Sequence, residues 1–181
     1  LDRALAIEPL LADAHNNRGA ALAAIRRHDD ALACYERALE IRPGYAGAQS
    51  NRAAALLALG RNEEALQSCD RALEIAPDFA EALDNRGVAL LALHRHAEAL
   101  ASLDRALAAA PDLAEALRDR GALLGLLRRH DEACRDFRKA IAIDPGLPDI
   151  AGSLMHAQMQ CCDWTEYDAL ARRMVVTRAT A

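Results

Sequence analysis

The sequence predicts an all-α chain, an α-solenoid of antiparallel helix pairs repeating every 34 residues. Three observations carry that expectation. The composition is 52% apolar but only 3% aromatic, so its apolar material is largely alanine and leucine. These are strong helix formers, and they lack the β-branched and aromatic bulk that a sheet prefers. Five of the six prolines, Pro9, Pro43, Pro77, Pro111 and Pro145, stand 34 residues apart. A proline stops a helix because it lacks the amide donor and clashes with the preceding turn. Small residues recur on the same period: Gly19, Ala53, Gly87 and Gly121, then Ala31, Ala65, Ala99 and Ala133, then Ala38, Ala72, Ala106 and Ala140. Such columns let helices within and between units approach closely.

Placing proline at position 32 of each unit sets the organisation in chain order. Residues 1–11 form a partial unit with a second helix only, and the face of residues 1–8 is expected to meet a neighbour as a weak homodimer. Four full units follow at 12–45, 46–79, 80–113 and 114–147. In the first, helices are expected near 12–25 and 29–41, with the same pattern in each later unit. Asp78 with Glu81, and Asp112 with Glu115, have the spacing of a capping box, in which a side chain accepts from an otherwise orphan amide at a helix start. Residues 148–181 lose the signature but keep helical periodicity through Ile150, Leu154 and Met155 and again through Trp164, Tyr167, Leu170 and Met174. They read as a degenerate helix pair capping the array, with Trp164 as a plug.

The period and the small-residue slots resemble the tetratricopeptide repeat family over residues 1–147. The family's aromatic slots are altered. Position 4, commonly tryptophan, holds His15, Gln49, Leu83 and Leu117, and position 11, commonly tyrosine, holds leucine in all four units. Position 7, commonly leucine, holds Arg18, Arg52, Arg86 and Arg120. The resemblance implies a right-handed superhelix whose first helices line a concave, peptide-binding surface.

On that implied surface one column is regular. Position 6 holds Asn17, Asn51, Asn85 and Asp119. A carboxamide offers both donor and acceptor, so such a column could hold an extended peptide through its backbone. The other role for these residues is to bond the neighbouring helix and fix the stacking angle. The small floor around them, Ala20, Ala54, Val88 and Ala122 at position 9 with Ala23, Leu57, Leu91 and Gly125 at position 12, favours a binding ladder. The position 7 arginines read instead as structural, their stems covering apolar surface and their heads pairing with acids such as Glu36, Asp70 and Asp104.

Charge and motif content narrow the functions. A formal charge of -5 gives no concentrated basic face for nucleic acid. All but one of the 22 basic residues are arginine, which with the alanine richness suggests a GC-rich bacterial genome. The five cysteines form no CxxC pair, which suggests a reducing cytoplasm, and Cys161 and Cys162 read as small core residues. His94 and His96 have no third ligand within reach in sequence, so neither a metal nor a cofactor is expected. No apolar run suits a membrane span, and no triad, phosphate loop or carboxylate pair marks an enzyme. The start at Leu1 suggests a piece of a longer protein.

Residues Cys162-Asp163-Trp164-Thr165-Glu166-Tyr167 resemble the stretch that follows the last tetratricopeptide repeat in O-linked N-acetylglucosamine transferases and their bacterial relatives. That resemblance implies a substrate-recognition arm whose asparagine column grips peptides, with the sugar chemistry beyond Ala181. A free-standing scaffold is the alternative. A chaperone adaptor for acidic C-termini would need lysine at position 5 and asparagine at position 9; position 5 holds Asn16, Ser50, Asp84 and Arg118. The chain is therefore expected to be a non-catalytic partner of proteins or peptides.

Overall fold

The computed structural model describes residues 2–147 and 149–163, with side chains from residue 11 onward. Every element among them is a helix: α1 Asp2–Ala24, α2 His28–Ile41, α3 Ala46–Ala58, α4 Asn62–Ile75, α5 Ala80–Ala92, α6 His96–Ala109, α7 Ala114–Leu126, α8 His130–Ile143 and α9 Ile150–Gln160. The chain divides into two compact units, with α1 to α6 in the first and α7 to α9 in the second.

Within the first unit α1, α3 and α5 each pair with the helix that follows. The first helices also lie side by side, α1 against α3 and α3 against α5. Small residues allow this proximity. The alanines at positions 20 and 27, from Ala31 to Ala106, have no exposed surface. Gly19 and Gly87 sit against Tyr35 and Leu103, where an added Cβ would lie 2.5 Å and 2.6 Å from the facing side chain. The middle repeat replaces glycine with Ala53 and places the smaller Cys69 in the facing slot, both fully buried in one apolar cluster with Tyr35 and Leu56. A larger residue on one helix is met by a smaller one on the other, as a close-packed core requires. In the second unit Gly121 repeats the arrangement against Phe137.

The turn inside each pair is built the same way. The Arg26 amide donates to Ala23 O and the Arg27 amide to Leu22 O, both at 2.9 Å, which satisfies the last carbonyls of α1 in a Schellman motif. The motif needs a left-handed residue, filled by Arg26 (φ 61°), Gly60 (72°), His94 (59°) and Arg128 (61°). The α9 helix ends identically, with Cys162 (φ 56°) in that slot and the Asp163 amide on Gln158 O at 2.9 Å. The repeat's turn therefore outlasts its sequence signature.

Two local expectations are corrected. Residues 2–24 form one helix through Pro9, where a separate second helix ending before that proline was expected. The residue after Pro43, Pro77, Pro111 and Pro145 is glycine or aspartate, a turn former, but Pro9 is followed by Leu10 and Leu11, which favour continued helix. The capping boxes do not form either. α5 and α7 start with Phe79 and Leu113 at the N-cap and no side-chain cap bond, leaving Asp78 and Asp112 one residue too early to reach the orphan amides. Those loops are tied down elsewhere: the Arg105 guanidinium donates to Pro77 O at 2.8 Å and Lys139 Nζ to Pro111 O at 2.5 Å. Trp164, Tyr167, Leu170 and Met174, and with them the second helix of the expected capping pair, lie outside the described residues.

Candidate functional site: the asparagine column

In the first unit, α1, α3 and α5 carry Asn17, Asn51 and Asn85 at the same helical position on adjacent helices. Asn17 is exposed, and Asn51 and Asn85 are half-buried. The difference has a cause. Asn51 Nδ2 donates to Asn16 Oδ1 at 2.9 Å, and Asn85 Nδ2 donates to the Ser50 carbonyl at 3.3 Å and the Ser50 hydroxyl at 3.2 Å. Each amide thus reaches position 5 of the preceding first helix, so these two asparagines do stack the repeats. Beside them the position 9 residues Ala20 and Ala54 are exposed and Val88 half-buried, an open floor of small side chains.

Asn16 lies beside residues that sequence reasoning missed. Arg42, just after α2, donates to Asp13 Oδ2 at 3.0 Å, and its guanidinium lies 4.5 Å from the centre of the Tyr45 ring. The Tyr45 phenol is close enough to Asp13 and Asn16 to feel both. The Arg42 bond first and Tyr45 second hold the Asp13 carboxyl below its usual range, while burial first and Asp13 second push the Tyr45 phenol up. The available signal was Tyr45 itself, the one hydroxyl in a slot otherwise filled by Phe79, Leu113 and Leu147.

The second unit holds Asp119, half-buried, with Arg118 donating from Nε at 2.8 Å and from a terminal nitrogen at 3.1 Å. The neighbouring guanidinium offsets this carboxylate's charge, so it differs from the asparagines in more than its atoms. Around it Ala122 is exposed, and a Cβ added at Gly125 would meet no atom within 4 Å.

Three of the position 7 arginines, Arg52, Arg86 and Arg120, face second helices. Arg52 donates to Ser68 at 2.6 Å and lies 3.5 Å from Glu36; Arg86 donates to Asp70 at 2.8 Å; in the second unit Arg120 grips Asp136 with two bonds of 2.7 and 2.8 Å. His94 and His96 touch edge to face with ring centres 6.1 Å apart, and among the described residues no three His, Cys, Asp or Glu side chains are grouped to hold a metal. Cys34, Cys69 and Cys134 are buried, and burial pushes the Cys69 thiol up to about 12, away from nucleophilic use. Cys162, expected in a core, is exposed because it occupies the left-handed turn slot. No helix among the described residues is long and apolar enough to cross a membrane.

Helix pairs joined by identical turns, stacked through small-residue columns and presenting a polar column on their first helices, define an α-helical repeat protein of the protein-interaction class. Tetratricopeptide repeat models match residues 12–45, 44–112 and 85–148. The chain belongs to the tetratricopeptide repeat family. Similar solved structures include a thermophilic TPR protein of Thermus thermophilus, 25% identical with a TM-score of 0.79, over 90% of each chain. The pilF protein of Pseudomonas aeruginosa is 19% identical with a TM-score of 0.81, over 93% of this chain and 77% of its own. The first TPR of Spaghetti, bound to the HSP90 peptide SRMEEVD, is 24% identical with a TM-score of 0.62, over 66% of this chain and 94% of its own. No curated protein matches the sequence.

Proposed function

We propose that the chain is a protein-interaction module that holds extended peptide segments against its first helices, with Asn17, Asn51 and Asn85 as polar contacts in the first unit and Asp119 in the second. The observation that carries this reading is the set of three carboxamides on adjacent helices beside the exposed alanines of position 9. A peptide backbone has donors and acceptors at every residue, so such a row suits extended chains of varied sequence. The HSP90 peptide seen on the Spaghetti repeat is acidic; the lysine that an acidic-terminus clamp needs at position 5 is Asn16, Ser50, Asp84 and Arg118 here, so a different peptide is proposed.

The test is selection from a library of random unstructured peptides, followed by affinity measurement on variants. Each single Asn→Ala change is expected to weaken a selected peptide roughly two- to tenfold, the equivalent of one net hydrogen bond. The triple change at Asn17, Asn51 and Asn85 is expected to abolish capture with helicity retained. It should also melt a few degrees lower, because two of the three asparagines bond the preceding helix. Undiminished binding by the triple variant would leave the column as a stacking device alone.

A narrower reading makes this module the substrate-recognition arm of an O-GlcNAc-transferase-like enzyme. Its support is the Cys162–Tyr167 stretch, of which Cys162 and Asp163 are described, Asp163 being bonded by Arg138 at 2.9 Å. Sugar transfer by the longest natural reading frame distinguishes that arm from a free-standing scaffold. Self-association through residues 1–8 is proposed from sequence alone.

A further inference from the structure

We propose that the stripe Ala14, Arg18, Ala21 and Ile25, on and just past α1, is a docking face for an amphipathic helix of a partner protein, one that sets a carboxylate beside Arg18. The stripe lies on another face of α1 than Asn17, so the proposal goes beyond the peptide-binding reading and does not depend on it.

The first unit contains its own template for this face. The spacing 14, 18, 21, 25 places the four residues on one side of a helix. One repeat on, the same positions are Ala48, Arg52, Ala55 and Leu59, on and just past α3; two repeats on, they are Ala82, Arg86, Ala89 and Leu93, on and just past α5. There α3 lies on α2, and α5 lies on α4. Ala48, Ala55, Ala82 and Ala89 are at most 2% exposed. Between them each arginine reaches back to an acid of the preceding second helix, Arg52 to Glu36 at 3.5 Å and Arg86 to Asp70 at 2.8 Å. Among the described elements α1 packs only on α2 and α3, and its stripe is open. Ala14, Arg18 and Ala21 are exposed, Ile25 is 64% exposed, and Arg18 bonds no described residue. An exposed alanine alone would mean nothing. A surface whose two counterparts are both covered, by helices bearing an acid at the same height, is a half-made helix junction.

Shape and charge choose the occupant. Alanine at 14 and 21 lets a helix axis approach closely, and the arginine between them calls for a carboxylate. A second copy of this chain does not supply it. Its α2, α4 and α8 already lie on α3, α5 and α9, and Asp104 of α6 is not free. Two α1 stripes centred on each other would oppose Arg18 to Arg18. The occupant is therefore a separate protein that presents a helix of α4 chemistry, with small and leucine side chains along one face and an aspartate or glutamate aligned with Arg18.

A synthetic peptide of the α4 sequence, Asn62–Ile75, is the probe. It is held helical by a hydrocarbon link between positions 63 and 67, both exposed in α4, because so short a helix is marginal alone. Titration calorimetry against the chain is expected to show saturable binding. Asp70→Arg in the peptide, or Arg18→Asp in the chain, should weaken it roughly tenfold, and the two changes together should restore most of the loss. Ala21→Glu should block it while circular dichroism shows helicity unchanged. The α8 peptide, His130–Ile143, linked likewise, carries Arg138 in the slot of Asp70 and should not bind. No binding of the α4 peptide, equal binding of the α8 peptide, or charge swaps without effect overturns the proposal. Self-association of the chain that Arg18→Asp abolishes makes a second copy the occupant and overturns the choice of partner. The triple asparagine variant should bind the α4 peptide normally, so failure here and failure of the peptide-binding reading are separate results.

Discussion

Gly87 and Leu103 show how much a single methyl group decides here. A Cβ at Gly87 would lie 2.6 Å from Leu103 Cγ, and an atom that close to its attachment point cannot be moved cheaply. Overpacking of this kind costs about 1–3 kcal/mol, against about 1 kcal/mol gained in helix propensity. Gly87→Ala is therefore expected to destabilise modestly. Combined with Leu103→Cys it recreates the Ala53 and Cys69 combination of the middle repeat, so the double variant should lose less than the sum of the singles, by about 1 kcal/mol or more in urea melts. Strict additivity would show that the two sites do not share one volume.

Gln49 gives the opposite sign. It fills the slot that holds Leu83 and Leu117 in the next repeats, is only 6% exposed, and leaves its Oε1 buried without a partner among the described residues. Gln49→Leu removes an uncompensated polar atom at nearly constant volume and is expected to stabilise by about 1–2 kcal/mol. An unchanged or lowered urea midpoint would point to a bonded water at that oxygen. The polar column was legible in the sequence, since Asn17, Asn51 and Asn85 share one position, but its internal bonding was not. The bond from Asn51 to Asn16 joins residues 35 apart, one more than the repeat, a pairing that the 34-residue period does not announce.

At the scale of elements, the left-handed turn slot is where the chain departs from the residue its geometry prefers. Only Gly60 is a glycine; Arg26, His94 and Arg128 hold the same conformation against the Cβ clash. Replacing each by glycine is expected to stabilise by about 1 kcal/mol, less the entropy that glycine adds to the unfolded chain, and the three effects should add because no two sites share partners. Thermal melts of the singles and the triple check this. Helix positions from α2 to α8 were readable because proline, small-residue columns and period agree. α1 was misread at Pro9 because one stop signal was weighed without the turn former that accompanies it elsewhere. The N-caps were misread because Phe79 and Leu113, apolar residues without a capping group, begin the helices in place of the neighbouring aspartates.

Across the whole molecule, contacts run mainly between elements adjacent in sequence, or one repeat apart, so each unit is stabilised through its nearest neighbours. Such a chain has little means of telling one repeat from the next. A ligand on a perfectly periodic track would have equivalent seats one repeat apart and could occupy any of them. Tyr45 breaks that equivalence. Arg42 lies 4.5 Å from the centre of its ring and bonds Asp13 of α1, whereas the matching residues one repeat on, Ala76 and Phe79, can make no such link. The first unit therefore has a marked end, and in the binding proposed above a segment would have one preferred frame rather than a choice of several.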